Sequence, residues 1–212
     1  MTAEEYKKIS IKEFTKAAKI YDSGHAGIYE LCKDDYPPIL EELEKENFTD
    51  LLDCGCGTGP VIELLREKHP DKNYTGIDLT PEMINVAKAK NLPNTQFIVG
   101  DCEKLPFPDE SFDAVICSNS FHHYPNPQDF FDNVYRVLRK NGRFILRDYS
   151  SCDFLVWLVN HLEMPLVRFF GHGDVRIYKK SECEAMLKKA GLVPVTVEIR
   201  KKMRLHVVAR KE

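Results

Sequence analysis

Between residues 50 and 150, short apolar runs alternate with segments whose apolar residues recur at three- and four-residue steps. The first pattern is that of buried strands and the second that of amphipathic helices. Asp50-Leu51-Leu52-Asp53-Cys54 reads as a first strand, Pro60 to His69 as a helix with Val61, Leu64 and Leu65 on one stripe, and Tyr74 to Asp78 as a second strand. Thr80-Pro81-Glu82 supplies an N-cap, a first-turn proline and a first-turn acid ahead of Met83, Val86 and Ala87, and so predicts a helix start. Phe97 to Val99 and Phe112 to Cys117 read as the third and fourth strands. Phe130 to Leu138 then reads as a helix stopped at Asn141-Gly142, before a fifth strand at Phe144 to Leu146. Such alternation predicts a parallel α/β sheet with crossover helices on both faces.

Two regions stand outside it. Residues 1–46 read as a helical lid segment ending in the acidic stretch Glu41-Glu42-Leu43-Glu44-Lys45-Glu46, a solvated helix face. Residues 47–212 form the main domain, interrupted at about 151–175 by an apolar insertion carrying Phe154, Trp157, Phe169 and Phe170. The tail reads as a helix from Ser181 to Ala190 stopped by Gly191, a strand from Leu192 to Ile199, a basic turn and a strand from Leu205 to Ala209.

Composition narrows the function classes. With 43% hydrophobic and 30% charged residues, the 212-residue chain has the make-up of a globular protein, and a net charge of -3 provides no general field for a polyanion. Nucleic acid is not an expected partner, and the basic cluster Arg200-Lys201-Lys202-Met203-Arg204 reads as a solvated turn. The charged opening lacks the apolar stretch of a signal peptide and no run reaches membrane-spanning length, so a cytoplasmic protein with no membrane partner is expected. Seven scattered cysteines, an odd number, suit reduced thiols. Cys54 and Cys56 lack the spacing of a zinc site, and no metal is expected.

The chemistry is concentrated at strand ends. Asp53-Cys54-Gly55-Cys56-Gly57-Thr58-Gly59 joins the first strand to the first helix, where glycines allow a ligand close to the backbone. Pro60 stands where a dinucleotide fingerprint needs its third glycine, which argues against a nicotinamide-dependent oxidoreductase on a similar sheet. Asp78 ends the second strand, where a carboxylate can accept two ribose hydroxyls, and Asp101, past the third, can accept from an adenine amine. Each also fits a loop acid or a cap.

The ordered series LLDCGCGTG, GIDLTPEM, GDCEKLPFPDESFD and ICSNSFHHYPNP resembles the class I S-adenosylmethionine-dependent methyltransferases, particularly the ubiquinone and menaquinone C-methyltransferase branch (methyltransferase type 11 domain). The resemblance implies a Rossmann-like, seven-stranded, mostly parallel sheet whose last strand is antiparallel. It implies methyl transfer from S-adenosylmethionine to a small-molecule acceptor, leaving S-adenosylhomocysteine. Asp53 with the Gly55 and Gly57 backbone would face the methionine moiety, and Asp78 the ribose. Leu79 and Met83 would lie beside the adenine, Asp101 and the Cys102 backbone would contact its nitrogens, and Ser118 would lie near the sulfonium. Tyr21 of Tyr21-Asp22 is the one N-terminal position the resemblance adds to the cofactor site, and the lid and the insertion would wall the acceptor. If the acceptor must lose a proton, the candidates are His122, His123 and Tyr124 after the fourth strand and Asp148 after the fifth, all at the sheet edge where ligands bind in open α/β folds. His123 is favoured, though one histidine of the pair also fits a role packing against the cofactor or capping the loop. A non-catalytic S-adenosylmethionine-binding protein would carry the same motifs.

Overall fold

The computed structural model describes residues 1–18, 20, 32–170 and 172–212. Its strands are β1 (Asp50–Cys54), β2 (Asn73–Asp78), β3 (Thr95–Val99), β4 (Phe112–Ser118), β5 (Leu138–Tyr149), β6 (Val193–Arg200) and β7 (Arg204–Arg210). They form one sheet in the order β3-β2-β1-β4-β5-β7-β6, with β1 to β5 parallel and β7 antiparallel to both neighbours. This is the Rossmann-like, mostly parallel architecture the alternation and the resemblance imply. Helices α1 (Ala3–Ala17), α2 (Tyr36–Glu44), α3 (Pro60–Lys68), α4 (Pro81–Ala89), α5 (Pro127–Val137), α6 (Asp153–Leu158), α7 (Met164–Phe169) and α8 (Lys180–Ala190) surround it.

The central strands have no polar face because each serves two cores. Leu52, Cys54, Val115, Cys117, Phe144 and Leu146 pack with Phe130, Phe131 and Val134 of α5 and Leu187 of α8. The residues between them, Leu51, Ala114, Ile116 and Ile145, pack on the opposite face with Ile39 and Leu43 of α2, Ile62 of α3 and Ile84 of α4. A period of two along the strands thus distributes one apolar run over two helical layers.

Two expectations about element boundaries change. Residues 36–44, read as part of the lid, form α2 and lie in the core, because Tyr36, Ile39, Leu40 and Leu43 make a buried stripe beneath a solvated acidic face. Asn141-Gly142 does not stop the preceding helix. That helix ends at Val137, and β5 begins at once and passes Asn141 in a left-handed turn (φ 65°) at a pairing irregularity opposite Phe112 and Ala114. Here tertiary pairing overrides a local stop signal, since the Asn141 N–H donates to the Lys211 carbonyl at 2.7 Å. The insertion folds as α6, a π-helical turn (Val159–Glu163) and α7, held by Val156 and Met164 against Ile177. Its outer face leaves Phe154 68% and Phe169 83% exposed. None of the described helices is long and apolar enough to cross a membrane.

The turn before α2 is fixed by charge. Asp35 is fully buried and accepts from Arg147 Nη2 at 2.7 Å and Asn119 Nδ2 at 3.0 Å, with Arg204 Nε at 3.3 Å. Arg204, read as part of a solvated turn, instead lies buried over the Tyr149 ring at 3.8 Å. Removing one partner from such a buried ionic network leaves the others desolvated and uncompensated. Asp35→Ala is therefore expected to lower the unfolding free energy by about 3–5 kcal/mol. A urea midpoint that hardly moves would show that the two arginines find water instead.

Candidate functional site

Strand order reverses between β2-β1 and β4-β5, and the chain leaves β1 and β4 in opposite directions at their C-terminal ends, which opens a crevice. The cleft there encloses about 880 Å³, part of it open to solvent. Asp53, Gly55, Gly57, Asp78, Leu79, Met83, Asp101, Cys102, Ser118 and His123 all line it. Tyr21 and Asp22 lie outside the described residues.

The β1–α3 turn is built by its glycines and by Asp78. Gly55 and Gly57 adopt left-handed φ values of 73° and 53°. At Gly55 the bareness serves the protein itself, because a Cβ would fall 1.9 Å from Ser120 Oγ, which is paired with Tyr124 OH at 2.8 Å. At Gly57 a Cβ would meet nothing within 4 Å, so the glycine leaves space open in the cleft wall. Asp78 Oδ2 accepts from the Gly57 N–H at 3.0 Å and Oδ1 from the Thr80 N–H at 2.8 Å. Asp101 caps the short turn Cys102–Lys104, accepting from the Glu103 N–H at 2.9 Å. Each acid thus anchors its loop and also lines the cleft. Thr80 occupies the N-cap position of α4 without a side-chain capping bond.

Asp53 differs from both. It is 1% exposed and its Oδ2 accepts no hydrogen bond among the described residues. Burial, with the Asp78 charge adding to it, pushes its pKa up to about 8. An unpaired buried carboxylate is costly unless it is protonated or meets a cation.

Sequence reasoning missed the near wall. Lys7, Ser10 and Phe14 of α1 and Tyr36 of α2 line the cleft. Lys7 Nζ reaches Asp101 at 2.7 Å and Glu103 at 2.5 Å. Burial opposes its charge, but the two carboxylates outweigh this and raise its pKa. No motif marks Lys7, since it meets Asp101 from 94 positions away. Conversely, no described residue of the 151–175 insertion lines the cleft, and the wall expected there is formed instead by α1 and the start of α2.

The two candidate bases separate. His123 reaches the cleft and packs edge-on against Phe14, with ring centroids 5.1 Å apart, and burial together with the neighbouring His122 lowers its pKa to about 4. Asp148 is buried behind it, away from the cleft lining, with Oδ1 2.6 Å from His122 Nδ1 and Oδ2 accepting from the His122 N–H. It orients a neighbouring imidazole instead of meeting a ligand. Burial disfavours the charge on His122, but Asp148 and Asp174 outweigh it and raise the His122 pKa.

Residues 52–146, from β1 into β5, match the methyltransferase domain model. By that match this segment is similar to a methyltransferase domain. Over 108 residues the chain is 35% identical to a demethylmenaquinone methyltransferase of Thermotoga maritima, covering 51% of this chain and 47% of that protein. It is 39% identical over 99 residues to a fatty-acid O-methyltransferase of Mycolicibacterium smegmatis, covering 46% and 36%. The methyltransferase YcgJ of Bacillus subtilis is 35% identical over 142 residues, covering 64% and 54%. The chain spans about half the length of the curated relatives it matches. Among solved structures, YcgJ superposes with a TM-score of 0.71 at 23% identity, covering 85% of this chain and 99% of that one. A Burkholderia thailandensis 1,6-didemethyltoxoflavin-N1-methyltransferase, solved with S-adenosylhomocysteine, gives 0.72 at 20%, covering 100% and 91%. At these identities the structural likeness is one of fold. It extends beyond the matched domain to the N-terminal helix and the closing strands.

The raised Asp53 pKa fixes the sign of a pH effect on the ligand-free domain. Its folded pKa of about 8 lies above the unfolded value, so its contribution is fully present below about pH 4 and is lost as pH rises through 8. Asp53→Asn has no such loss. Urea unfolding at pH 5 and pH 8 is expected to show the variant gaining on the wild type at the higher pH. A difference independent of pH would mean that the carboxylate is already ionised at pH 5.

Proposed function

We propose that this chain binds S-adenosylmethionine in the cleft and transfers its methyl group to a small-molecule acceptor. The observation that carries the reading is Asp53 Oδ2, a buried acceptor without a partner among the described residues, beside an open glycine turn. The ammonium of an amino-acid moiety suits that atom, since it supplies both the charge and the donors the carboxylate lacks. The donor set suits the rest of the cofactor. Asp78 takes the ribose hydroxyls, Leu79 and Met83 give the adenine apolar contact, Asp101 accepts from its amine, and the Cys102 backbone meets a ring nitrogen. Ser118 stands towards the sulfonium end.

When bound, the sulfonium supplies an already activated methyl group. The chain's own task is to position and enclose. Asp53 and Asp78 fix the two ends of the aminoacyl and ribose portion on rigid strand termini. α1, latched by Lys7 to Asp101 and Glu103, takes the lid role expected of a longer segment, and its Phe14 with Tyr36 keeps water from the reacting end. Relatives named for demethylmenaquinone and for fatty acids support a small molecule as acceptor.

Titration calorimetry is expected to give micromolar dissociation constants for S-adenosylmethionine and S-adenosylhomocysteine and no binding of NADH. A preference for NADH would overturn the reading. Methyl-labelled S-adenosylmethionine added with the small-molecule fraction of a cell extract should label that fraction, and label appearing only in protein or nucleic acid from whole extract would contradict the acceptor class.

Asp78→Ala separates anchoring from binding. Loss of charge-assisted bonds worth about 1.5–3 kcal/mol should weaken cofactor affinity roughly ten- to 150-fold. Because Asp78 also accepts from Gly57 and Thr80, the urea midpoint should fall as well. Lowered stability with unchanged affinity would leave Asp78 as a loop anchor alone.

A further inference from the structure

Behind the cleft wall, His122, His123 and Asp174 bring three potential metal-ligating atoms within 4.8 Å of one another. His122 Nε2 lies 3.3 Å from Asp174 Oδ1 and His123 Nδ1 lies 3.9 Å from the same oxygen. Nitrogen and oxygen ligands about 2.0–2.2 Å from a tetrahedral zinc stand roughly 3.3–3.6 Å apart, so the first edge is already formed and the second needs only a few tenths of an ångström.

The hydrogen bonding favours a cation in this space. Asp148 takes the Nδ1 side of His122, so Nε2 is the nitrogen turned towards Asp174. A carboxylate on the far nitrogen is the arrangement that orients metal-binding histidines and increases their basicity. A proton on Nε2 would satisfy His122 and Asp174, but it would leave His123 Nδ1 as it stands, buried with no hydrogen-bond partner among the described residues. A metal ion satisfies all three at once. The segment bearing Asp174 is also held in place. The Val175 and Arg176 N–H groups donate to the His122 carbonyl at 3.0 and 3.3 Å, and the Gly173 N–H donates to Glu13 of α1 at 2.7 Å.

We infer that His122 Nε2, His123 Nδ1 and Asp174 form a binding site for a divalent transition-metal ion of the zinc class, with Asp148 orienting His122. Three protein ligands leave a tetrahedral ion one position for an exogenous ligand. Since His123 also lines the cleft, the ion ties the acceptor-side wall to the 172–176 segment and, through Glu13, to α1. The inference does not depend on the identity of the cofactor.

The test is titration of the full chain, stripped with chelator and kept reduced, with Co²⁺ alone, followed by calorimetry and visible absorption. One Co²⁺ per chain is expected, with the intense visible bands of four- or five-coordinate cobalt, and Zn²⁺ should displace it. Asp174→Asn, at a side chain 21% exposed and so compatible with folding, should weaken binding at least tenfold, as should His123→Gln. The exposed His161→Ala should leave it unchanged. Absence of stoichiometric binding, equal affinity in the two ligand variants, or a thiolate-to-cobalt charge-transfer band pointing to the cysteines would each overturn the site.

Discussion

Asp53 is held in the interior at the end of β1 by its neighbours in a strand buried on both faces, and the described residues provide one of its oxygens with no donor. The β1–α3 turn is arranged around that group. Gly57 leaves space open in the cleft wall, Gly55 admits Ser120, and Asp78, from the adjacent strand, clamps the turn by its Gly57 N–H. The cost of an unpaired buried carboxylate is tolerable in a ligand-free domain because the group is largely protonated near neutral pH. A cationic ligand would change that balance, turning an unfavourable feature of the free domain into affinity.

The rest of the architecture serves this corner. Alternating strand residues anchor helices on both faces of the sheet, so the strand ends cannot shift relative to one another. The Asp35 network ties the entry of α2 to β5, β7 and the end of β4, beside the same cleft. α1 is attached differently. Apart from the Lys7 ion pairs, its contacts include the Thr15 to Glu82 bond at 2.8 Å and Glu13 to the 172–173 segment. A helix held mainly by polar contacts over a cleft is suited to move when a ligand enters.

Much of this was legible in the chain. Short apolar runs alternating with helical patterns indicated the parallel strands, and the positions of Asp53, Asp78 and Asp101 at the ends of successive strands placed three acids at one sheet edge. What was not legible depends on contacts between distant residues. Lys7 has no local pattern that announces Asp101, and α2 looked like a solvated helix because its acidic face is more conspicuous than its buried stripe. Asn141-Gly142 carries the composition of a helix stop, yet pairing with β7 and with Lys211 just beyond it recruits it into a strand. Asp148 looked like a free acid at a strand end, and only the fold shows that His122 occupies it. Asp174 stands 51 residues beyond His123 in an irregular segment, so spacing could not join it to the histidine pair.

The central claim, that Asp53 receives the ammonium of the cofactor's amino-acid end, is tested most directly by the affinity for S-adenosylhomocysteine between pH 6 and pH 8. For the wild-type chain the account predicts affinity that rises with pH as Asp53 becomes free to ionise, and for Asp53→Asn weaker binding that hardly varies over the same range. Equal affinities with equal pH dependence in the two proteins would contradict it.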